Sequence, residues 1–318
     1  MKKGFIKKMI SNQYTLIDLE TKEEVVAAAR GKLRFMKLDE KSSFNKIVTM
    51  KSKKDIKTIQ ISPKVGDYVY YDDAEDIPMI MEIMPRENDL ERPDVANVDQ
   101  VLLVFSAIKP DFSFNLLDKF LIIMSQERLK PVIVISKIDL VDDKTLNILK
   151  DQLQYYVNMG HELYYVNSKQ RIGIDTLTHV FQDKITVLAG QTGVGKSTLL
   201  NALMPELGLK TQEISEALGR GKHTTRHTEL YYIHGGYIVD TPGFSKIEFH
   251  IFRPEELKQY YQDFSELSEQ CKFKSNCMHL LEPGCAIKHA YETKEMLASR
   301  YENYMSFIEE IKAQKEKY

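Results

Sequence analysis

Gly190-Gln191-Thr192-Gly193-Val194-Gly195-Lys196-Ser197 fits G-x-x-x-x-G-K-[ST] and lies between an apolar β-rich run, Ile185–Leu188, and an apolar helical run from Thr198 to Met204. Strand, glycine loop and helix in that order form the context in which this pattern holds phosphate. The glycines let backbone N–H groups approach the oxygens closely, and the helix start at Thr198 adds the positive end of its dipole. Lys196 is placed to reach β- and γ-phosphates and the Ser197 hydroxyl to ligate Mg2+. Downstream, Asp240-Thr241-Pro242-Gly243 follows the apolar run Tyr237–Val239. Asp240, at a strand end, is the expected partner of the Mg2+, and the Gly243 N–H the expected partner of the γ-phosphate. Gly219-Arg220-Gly221-Lys222-His223-Thr224-Thr225-Arg226-His227 is a polar loop between the two motifs. A loop that orders around γ-phosphate and Mg2+ needs a hydroxyl to complete the metal shell; Thr225 is the first choice and Thr224 the second.

Ser136-Lys137-Ile138-Asp139 closes another apolar run, Val132–Ile135. GTPases carry N-K-x-D at such a strand end. The Asp carboxylate accepts the N1 and N2 protons of guanine, a contact adenine cannot make, and the Lys stem covers the base; leaving such a group unpaired is what gives strong discrimination. Guanine recognition is expected to rest mostly on Asp139. Ser136 replaces the usual Asn, and a hydroxyl offers fewer hydrogen bonds than an amide, so a weaker brace on the phosphate loop is expected. Asn167 and Ser168, within Val166-Asn167-Ser168-Lys169, take the place of the S-A loop that backs the base. These base-reading motifs precede the phosphate loop, whereas ordinary GTPases carry them after it. The same sheet can form only if the domain is circularly permuted, which keeps strand-end geometry and moves the chain ends. Whatever follows Gly243 is then tethered directly to the loop that senses γ-phosphate.

All three cysteines fall within fifteen residues, Cys271, Cys277 and Cys285, with His279 between the last two. Three thiolates and one imidazole suit a closed tetrahedral Zn2+ site with no position left for a catalytic water. Such an ion is structural and helps to fold the small region around it. Concentration of every cysteine in one loop argues against incidental thiols and against a disulfide framework.

The 318 residues carry 44 Lys and Arg against 46 Asp and Glu, with 43% hydrophobic and 28% charged residues. That composition excludes a disordered or collagen-like chain, and the length favours two or three domains. Apolar runs such as Val101 to Phe105 are too short for a membrane span, and no apolar segment follows Met1-Lys2-Lys3-Gly4, so no secretory signal is expected. With few cysteines, a reducing, cytoplasmic setting is expected. The near-neutral total conceals a strong asymmetry. Residues 1–66 hold 16 Lys and Arg against 7 Asp and Glu, a net of +9. Residues 67–99 hold 2 against 11, a net of −9.

Short β-rich runs, Phe5–Ile10, Tyr14–Leu19, Glu24–Ala29, Thr58–Ile61 and Tyr68–Tyr71, alternate with polar turns. Five or six such strands in about 85 residues predict a small closed barrel, most simply an OB-fold. Arg30, Lys32 and Arg34 open a Lys-rich stretch that continues through 37–57 and offers a basic groove for nucleic-acid phosphates. From about residue 95, apolar strands alternate with amphipathic helices, the pattern of a parallel sheet with helices on both faces. After about residue 247 the chain turns helical, with helices expected over Pro254–Phe264 and, as one continuous element, Glu292–Lys317.

With these motifs in this order, the chain resembles the RsgA family of circularly permuted GTPases that depend on the small ribosomal subunit. The resemblance spans nearly the whole sequence and rests on Val65-Gly66-Asp67, Ala96-Asn97-Val98-Asp99-Gln100, the phosphate loop, Gly221-Lys222-His223-Thr224-Thr225, Asp240-Thr241-Pro242-Gly243 and His279 through Cys285. It implies a multi-domain α/β protein: an OB-fold barrel that binds RNA (1–85), a permuted P-loop GTPase domain (86–246) and a helical zinc-binding domain (247–318). It also implies GTP hydrolysis stimulated by the small subunit during late maturation, with release after hydrolysis, and contact with that subunit's rRNA. A monomer without membrane attachment is expected. Phe244 stands where Ras-like enzymes place a water-orienting Gln, so intrinsic hydrolysis should be slow. The resemblance suggests His223 as the replacement, joining Lys196 and Thr225 as catalytic candidates; a loop His touching rRNA phosphate is the alternative. Two rivals are a P-loop small-molecule kinase, which Asp139 disfavours, and an assembly factor that holds nucleotide with little turnover.

Overall fold

The computed structural model describes residues 1–29, 33–36, 59–91, 93–205, 228–240 and 253–315, with backbone alone for 33–36, 59–61, 240 and 314–315. Arg30, Lys32, the stretch 37–57, His223, Thr224, Thr225 and Gly243 lie outside the described residues, as do the side chains of Arg34 and Asp240. The chain divides into two compact units. One comprises Met1–Leu102, Ile174–Gly190 and Lys196–Phe244; the other comprises Leu103–Gly173, Gln191–Gly195 and Ser245–Tyr318.

The first unit begins with β1 (Lys2–Ile10), β2 (Gln13–Asp18) and β3 (Glu24–Ala29), followed by the short pair β4 (Leu33–Met36) and β5 (Ile59–Ile61), then β6 (Tyr68–Asp72) and β7 (Met79–Ile83). β1 pairs antiparallel with β2, β2 with β3, and β6 with β7, while β3 runs parallel to β7. β6 returns to β1 from Lys2↔Tyr71 to Phe5↔Tyr68 and closes the ring. This five-strand barrel with a single parallel pair is the OB-fold, as expected. Alternation along β2 points Tyr14, Leu16 and Asp18 inward, where Ile6, Val69, Tyr71 and Ile80 complete the core.

Asp18 is an acid on the inward face, and its partners explain why it is tolerated. The Tyr71 hydroxyl donates to Oδ2 at 2.5 Å, and the N–H groups of Glu20 and Thr21 each donate to Oδ1 at 2.8 Å. Chiefly through the Tyr71 hydroxyl, then the Thr21 amide, its carboxyl is held down at about 2. A carboxylate depressed in the folded state contributes stability above its ordinary value of 3.8 and loses it as pH falls towards 2. Tyr71→Phe is therefore expected to move the acid-unfolding midpoint, followed by circular dichroism between pH 5 and 1.5, to higher pH.

Two motifs distant in sequence meet beside the barrel. The Gly66 N–H donates to the Ile6 carbonyl and the Ala96 N–H to the Val65 carbonyl, both at 2.9 Å. Gly66 has φ +87°, and a Cβ there would fall 2.1 Å from the Ala96 oxygen, so no other residue fits. Asn97 spans the junction, donating to the Gly66 carbonyl and accepting from the Glu87 N–H. Asp67 is buried against Arg86, which forks onto both carboxylate oxygens at 2.6 and 2.7 Å. β8 (Asp89–Glu91) and β9 (Asp94–Ala96) form a hairpin here, leading to β10 (Gln100–Ser106). Asp99 accepts from the Ile185 N–H at 2.7 Å, and the Gln100 amide donates to the Val180 carbonyl and Thr186 hydroxyl, fixing the start of β10 beside β13 (Ile185–Ala189). β13 runs parallel to β15 (Gly236–Asp240), which pairs antiparallel with β14 (Thr228–Ile233). β14 in turn pairs with β1 of the barrel through Lys8↔Glu229 and Met9↔Thr228.

The second unit contains the end of β10, β11 (Lys130–Ser136) and β12 (Glu162–Tyr165), the last two parallel, with α1 (Phe114–Glu127) and α2 (Asp143–Asn158). Ser113 and Asp142 cap these helices by accepting the N–H groups of Leu116 and Thr145. The short helix α3 (Ile174–Leu177) and the phosphate-loop helix α4 (Lys196–Leu203) belong to the first unit.

The C-terminal part of the second unit is helical but more broken than the sequence suggests. Pro254–Tyr260 forms 3-10 turns, and Tyr261 takes an extended conformation before α5 (Gln262–Ser268) begins. The expected helix over Glu292–Lys317 divides: Glu292 ends α6 (Ala286–Glu292), and α7 runs over Ala298–Lys315. Lys294, at φ +63°, turns the chain between them. Tyr261, Phe264, Tyr304, Phe307, Ile308 and Ile311 make the core of this part. Among the described residues no helix is long and apolar enough to cross a membrane.

Candidate nucleotide site and metal centre

β13 is buried along its whole length and delivers the chain to the glycine loop. Gly190, Gly193 and Gly195 take φ of +139°, +84° and +96°. A Cβ on Gly195 would meet only ordinary contacts, at 3.7 Å or more, so its requirement is conformational rather than steric. Gln191, Thr192 and Gly193 are exposed, and Val194 is buried as the anchor of the turn. Lys196, Ser197 and Thr198 open α4 half-buried. The Lys196 ammonium folds back to donate to the Gly190 carbonyl at 2.7 Å, across the mouth of the loop. Burial lowers its pKa, so an anion bound there regains what desolvation takes from the charged form.

The base motif is held against this loop by two of its own side chains. The buried Ser136 hydroxyl donates to the Val194 carbonyl at 2.5 Å, spanning 58 positions of sequence. Lys137, in the left-handed region at φ +56°, donates from Nζ to the Gly193 carbonyl at 2.6 Å and also to the Lys109 carbonyl. The brace expected to be weak with serine is thus present as one short hydrogen bond, reinforced by the lysine. Asp139 lies on the 3-10 turn Ile138–Leu140, exposed and without a hydrogen bond or ion pair among the described residues. Asn167 is buried and used within its own loop. Its Oδ1 accepts the N–H groups of Lys169 and Gln170, and its backbone pairs in both directions with Ile172. Ser168 follows, with a buried hydroxyl that has no partner among the described residues. Asn167 therefore shapes the loop, and Ser168 keeps the free polar group. Of the remaining nucleotide candidates, Asp240 ends β15 directly beyond the buried Ile238 and Val239.

The cysteine cluster closes on itself. One ligand atom each from Cys271, Cys277, His279 and Cys285 lies within 4.8 Å of all the others, and all four residues are buried. His279 Nδ1 is 3.7 Å from Cys271 Sγ and 3.5 Å from Cys285 Sγ, and those two sulfurs are 4.0 Å apart. A tetrahedral ion with bonds of about 2.3 Å to sulfur and 2.0–2.1 Å to nitrogen requires separations of about 3.8 and 3.5 Å, so the four fit one metal. His279 Nε2 faces the Ser268 hydroxyl at 3.2 Å, which leaves Nδ1 for the cluster. The Ala286 and Lys288 N–H groups point at the sulfurs of Cys271 and Cys285. Without an ion, burial pushes the Cys277 thiol up to about 12 and pulls the His279 imidazole down to about 4. A metal ion would offset that burial by binding the cysteines as thiolates and the imidazole as neutral.

The motif order seen in the sequence is that of known proteins. The family model described as RsgA GTPase matches residues 83–250. The small ribosomal subunit biogenesis GTPase RsgA of Onion yellows phytoplasma (strain OY-M) is 50% identical over 314 residues, 99% of both chains. Its namesake in Bacillus subtilis (strain 168) is 46% identical over 283 residues, 88% of this chain and 95% of that one. Among solved structures, YloQ, described as a circularly permuted GTPase, superposes with a TM-score of 0.78 at 35% identity, covering 99% of this chain and 96% of that one. YjeQ from Thermotoga maritima gives the same score and identity with 98% of both chains covered. A glycine loop that follows its base motif, an OB-fold barrel ahead of both and a Cys3His cluster behind them place this chain in the RsgA GTPase family.

Proposed function

We propose that this chain is a GTP hydrolase that acts on the small ribosomal subunit during its late maturation and leaves after hydrolysis. The carrying observation is the pair of bonds Ser136–Val194 and Lys137–Gly193, which set the base-reading motif against the phosphate loop from the opposite order in sequence. The division of labour follows the three segments 1–85, 86–246 and 247–318. Gly190 to Thr198 hold the phosphates. Lys137, Asp139 and Ser168 receive guanine, while Ser136 and Asn167 keep the two loops in place. Ser197, Thr225 and Asp240 are assigned to Mg2+, which when bound screens the phosphate charge, and Gly243 to the γ-phosphate. Lys196, Thr225 and His223 are the catalytic candidates, with His223 standing in for the missing glutamine. The ion in the cysteine cluster is Zn2+. Arg30, Lys32 and Arg34 are assigned to rRNA, the protein acts as a monomer, and the cytoplasm is its place.

Two experiments test this reading. Steady-state GTP hydrolysis should rise strongly when small ribosomal subunits are added; an unchanged rate rejects the subunit-dependent assignment. His223→Ala should abolish the stimulated part alone, and full stimulated turnover in that variant removes His223 from the mechanism. Asp139→Asn tests the base assignment separately. An amide cannot accept both guanine protons but can donate to the 2-oxo group of xanthine. GTP affinity should fall by roughly 10²–10³-fold while XTP affinity rises. Equal GTP binding by both proteins would place the base elsewhere.

A further inference from the structure

Two rows of hydrogen bonds cross the loops that follow β10, β11 and β13, between residues that all belong to the second unit. In the first row the Ala107 N–H donates to the Ser136 carbonyl at 3.0 Å, and the Ser136 hydroxyl donates onward to the Val194 carbonyl at 2.5 Å. In the second row the Lys137 ammonium takes two carbonyls at once, that of Gly193 at 2.6 Å and that of Lys109. The loop after β10 thus joins the phosphate loop through the base motif. Lys109 is exposed and takes the left-handed region at φ +56°, a conformation that a residue with a Cβ keeps only where its surroundings hold it. Ser106, buried at the end of β10, supplies a hold. Its hydroxyl donates to the Pro110 carbonyl at 2.6 Å and ties the loop across Lys109.

A lysine side chain has more rotamer freedom than most others and must give it up to lie over a ligand. Pinning the ammonium before the ligand arrives removes that cost from binding. Of the two carbonyls that pin Lys137, the one at Gly193 belongs to an exposed glycine turn that a nucleotide's phosphates must themselves engage. The one at Lys109 lies outside the phosphate loop, on a turn closed by a buried side chain. We propose that Ser106 is a positioning residue for guanine binding: it fixes the Lys109 carbonyl, which keeps the Lys137 stem in place over the base. This rests on the nucleotide reading above and adds to it a residue that acts on the ligand only through Lys137. The effect falls on the base rather than on the reacting phosphate, so Ser106 governs nucleotide affinity and not the turnover of bound GTP.

Fluorescence titration of the full chain with N-methylanthraniloyl-GDP tests it. Ser106→Ala is expected to weaken binding about tenfold and to raise KM for GTP by a similar factor, with kcat at saturating GTP unchanged. In a Lys137→Ala background the same substitution should have no further effect, because the residue through which Ser106 acts is gone. Ser106→Thr and Ser106→Val are matched in size and separate the hydroxyl from packing: the threonine variant should bind as the parent does, and the valine variant as Ser106→Ala does. Parent-like binding by Ser106→Ala, a loss repeated in full in the Lys137→Ala background, equal affinity of the threonine and valine variants, or a fall in kcat with KM unchanged would overturn the proposal and leave the nucleotide reading standing. A parent protein that binds no GDP would remove both.

Discussion

Removing the metal from Cys271, Cys277, His279 and Cys285 with a strong chelator is expected to melt the helical part around them, and adding zinc back to restore it. The four side chains share one buried core with Phe264, Tyr304 and Phe307, so the cluster is an interior feature rather than a surface clip. A closed site of this kind contributes its binding free energy directly to folding, on the order of 10 kcal/mol for structural zinc at neutral pH. What remains after metal loss is a set of polar groups in an apolar interior, which is why collapse onto the empty site offers little compensation. The pH dependence has a definite sign. Burial raises both the Cys277 thiol, to about 12, and the Cys285 thiol, so each enters the metal-free site protonated and must release a proton on binding. Three thiols must lose a proton to bind as thiolates, so affinity should fall by up to about 1000-fold per pH unit on acidification below neutrality. His279, held down at about 4, stays neutral through that range and adds no slope until the medium approaches that value. Competition with a chromophoric chelator between pH 8 and 6 measures the slope, and calorimetric melting with and without chelator measures the stability. An unchanged melting profile after confirmed metal loss would rule out a structural role.

The parts that were legible in the sequence are those where side-chain type and spacing determine geometry. The glycine loop needs its residues at fixed offsets after a strand, and Ile185–Leu188 was readable as that strand from its apolar run. β2 alternates cleanly because one face packs the barrel core. β7 escaped notice, since Met79-Ile80-Met81-Glu82-Ile83 has few β-branched residues and follows a proline; its parallel pairing with β3 supplies what propensity does not. α6 was hidden because it is only seven residues long and opens on the metal-site residue Cys285, whose sulfur caps it. The break at Lys294 has no glycine or proline to announce it; the Lys294 and Met296 N–H groups close the turn onto the Tyr291 and Ala290 carbonyls. The Ser136 brace was legible as a position but not as a bond, because its partner is a backbone carbonyl 58 residues away. Arg300 was the least legible residue of all. On a helical pattern rich in Glu and Lys, an arginine reads as part of the solvated face, and nothing local marks it as buried.

Arg300→Ala is expected to destabilise the second unit by roughly 3–5 kcal/mol, because it strands a carboxylate that has no access to water. Asp118, on α1, is fully buried and accepts from Arg300 at 2.5 Å, Asn303 at 2.7 Å and the Tyr156 hydroxyl at 2.8 Å. The same guanidinium forks onto Asp263 of α5 at 2.9 and 3.1 Å, so one side chain of α7 joins α1 to the metal-bearing segment. Burial pushes the Asp118 carboxyl up, with the Arg300 charge the largest opposing influence, followed by the Asn303 and Tyr156 bonds. Removing the arginine leaves burial less opposed, and the carboxyl rises further above its unfolded value. A carboxyl raised in the folded state stabilises when protonated and loses that contribution as pH climbs through its folded value. The Arg300→Ala penalty should accordingly be larger at pH 8 than at pH 5, as read from urea unfolding at the two values. Asp118→Asn removes the stranded charge without changing the shape, so Asp118→Asn/Arg300→Met should recover much of the loss and flatten the pH dependence. A merely spatial role for Arg300 predicts instead that Arg300→Met alone recovers stability, with equal penalties at both pH values. If Arg300→Ala is mild and independent of pH, α1, α5 and α7 are held together by apolar packing alone, and the charge network contributes neither stability nor shape.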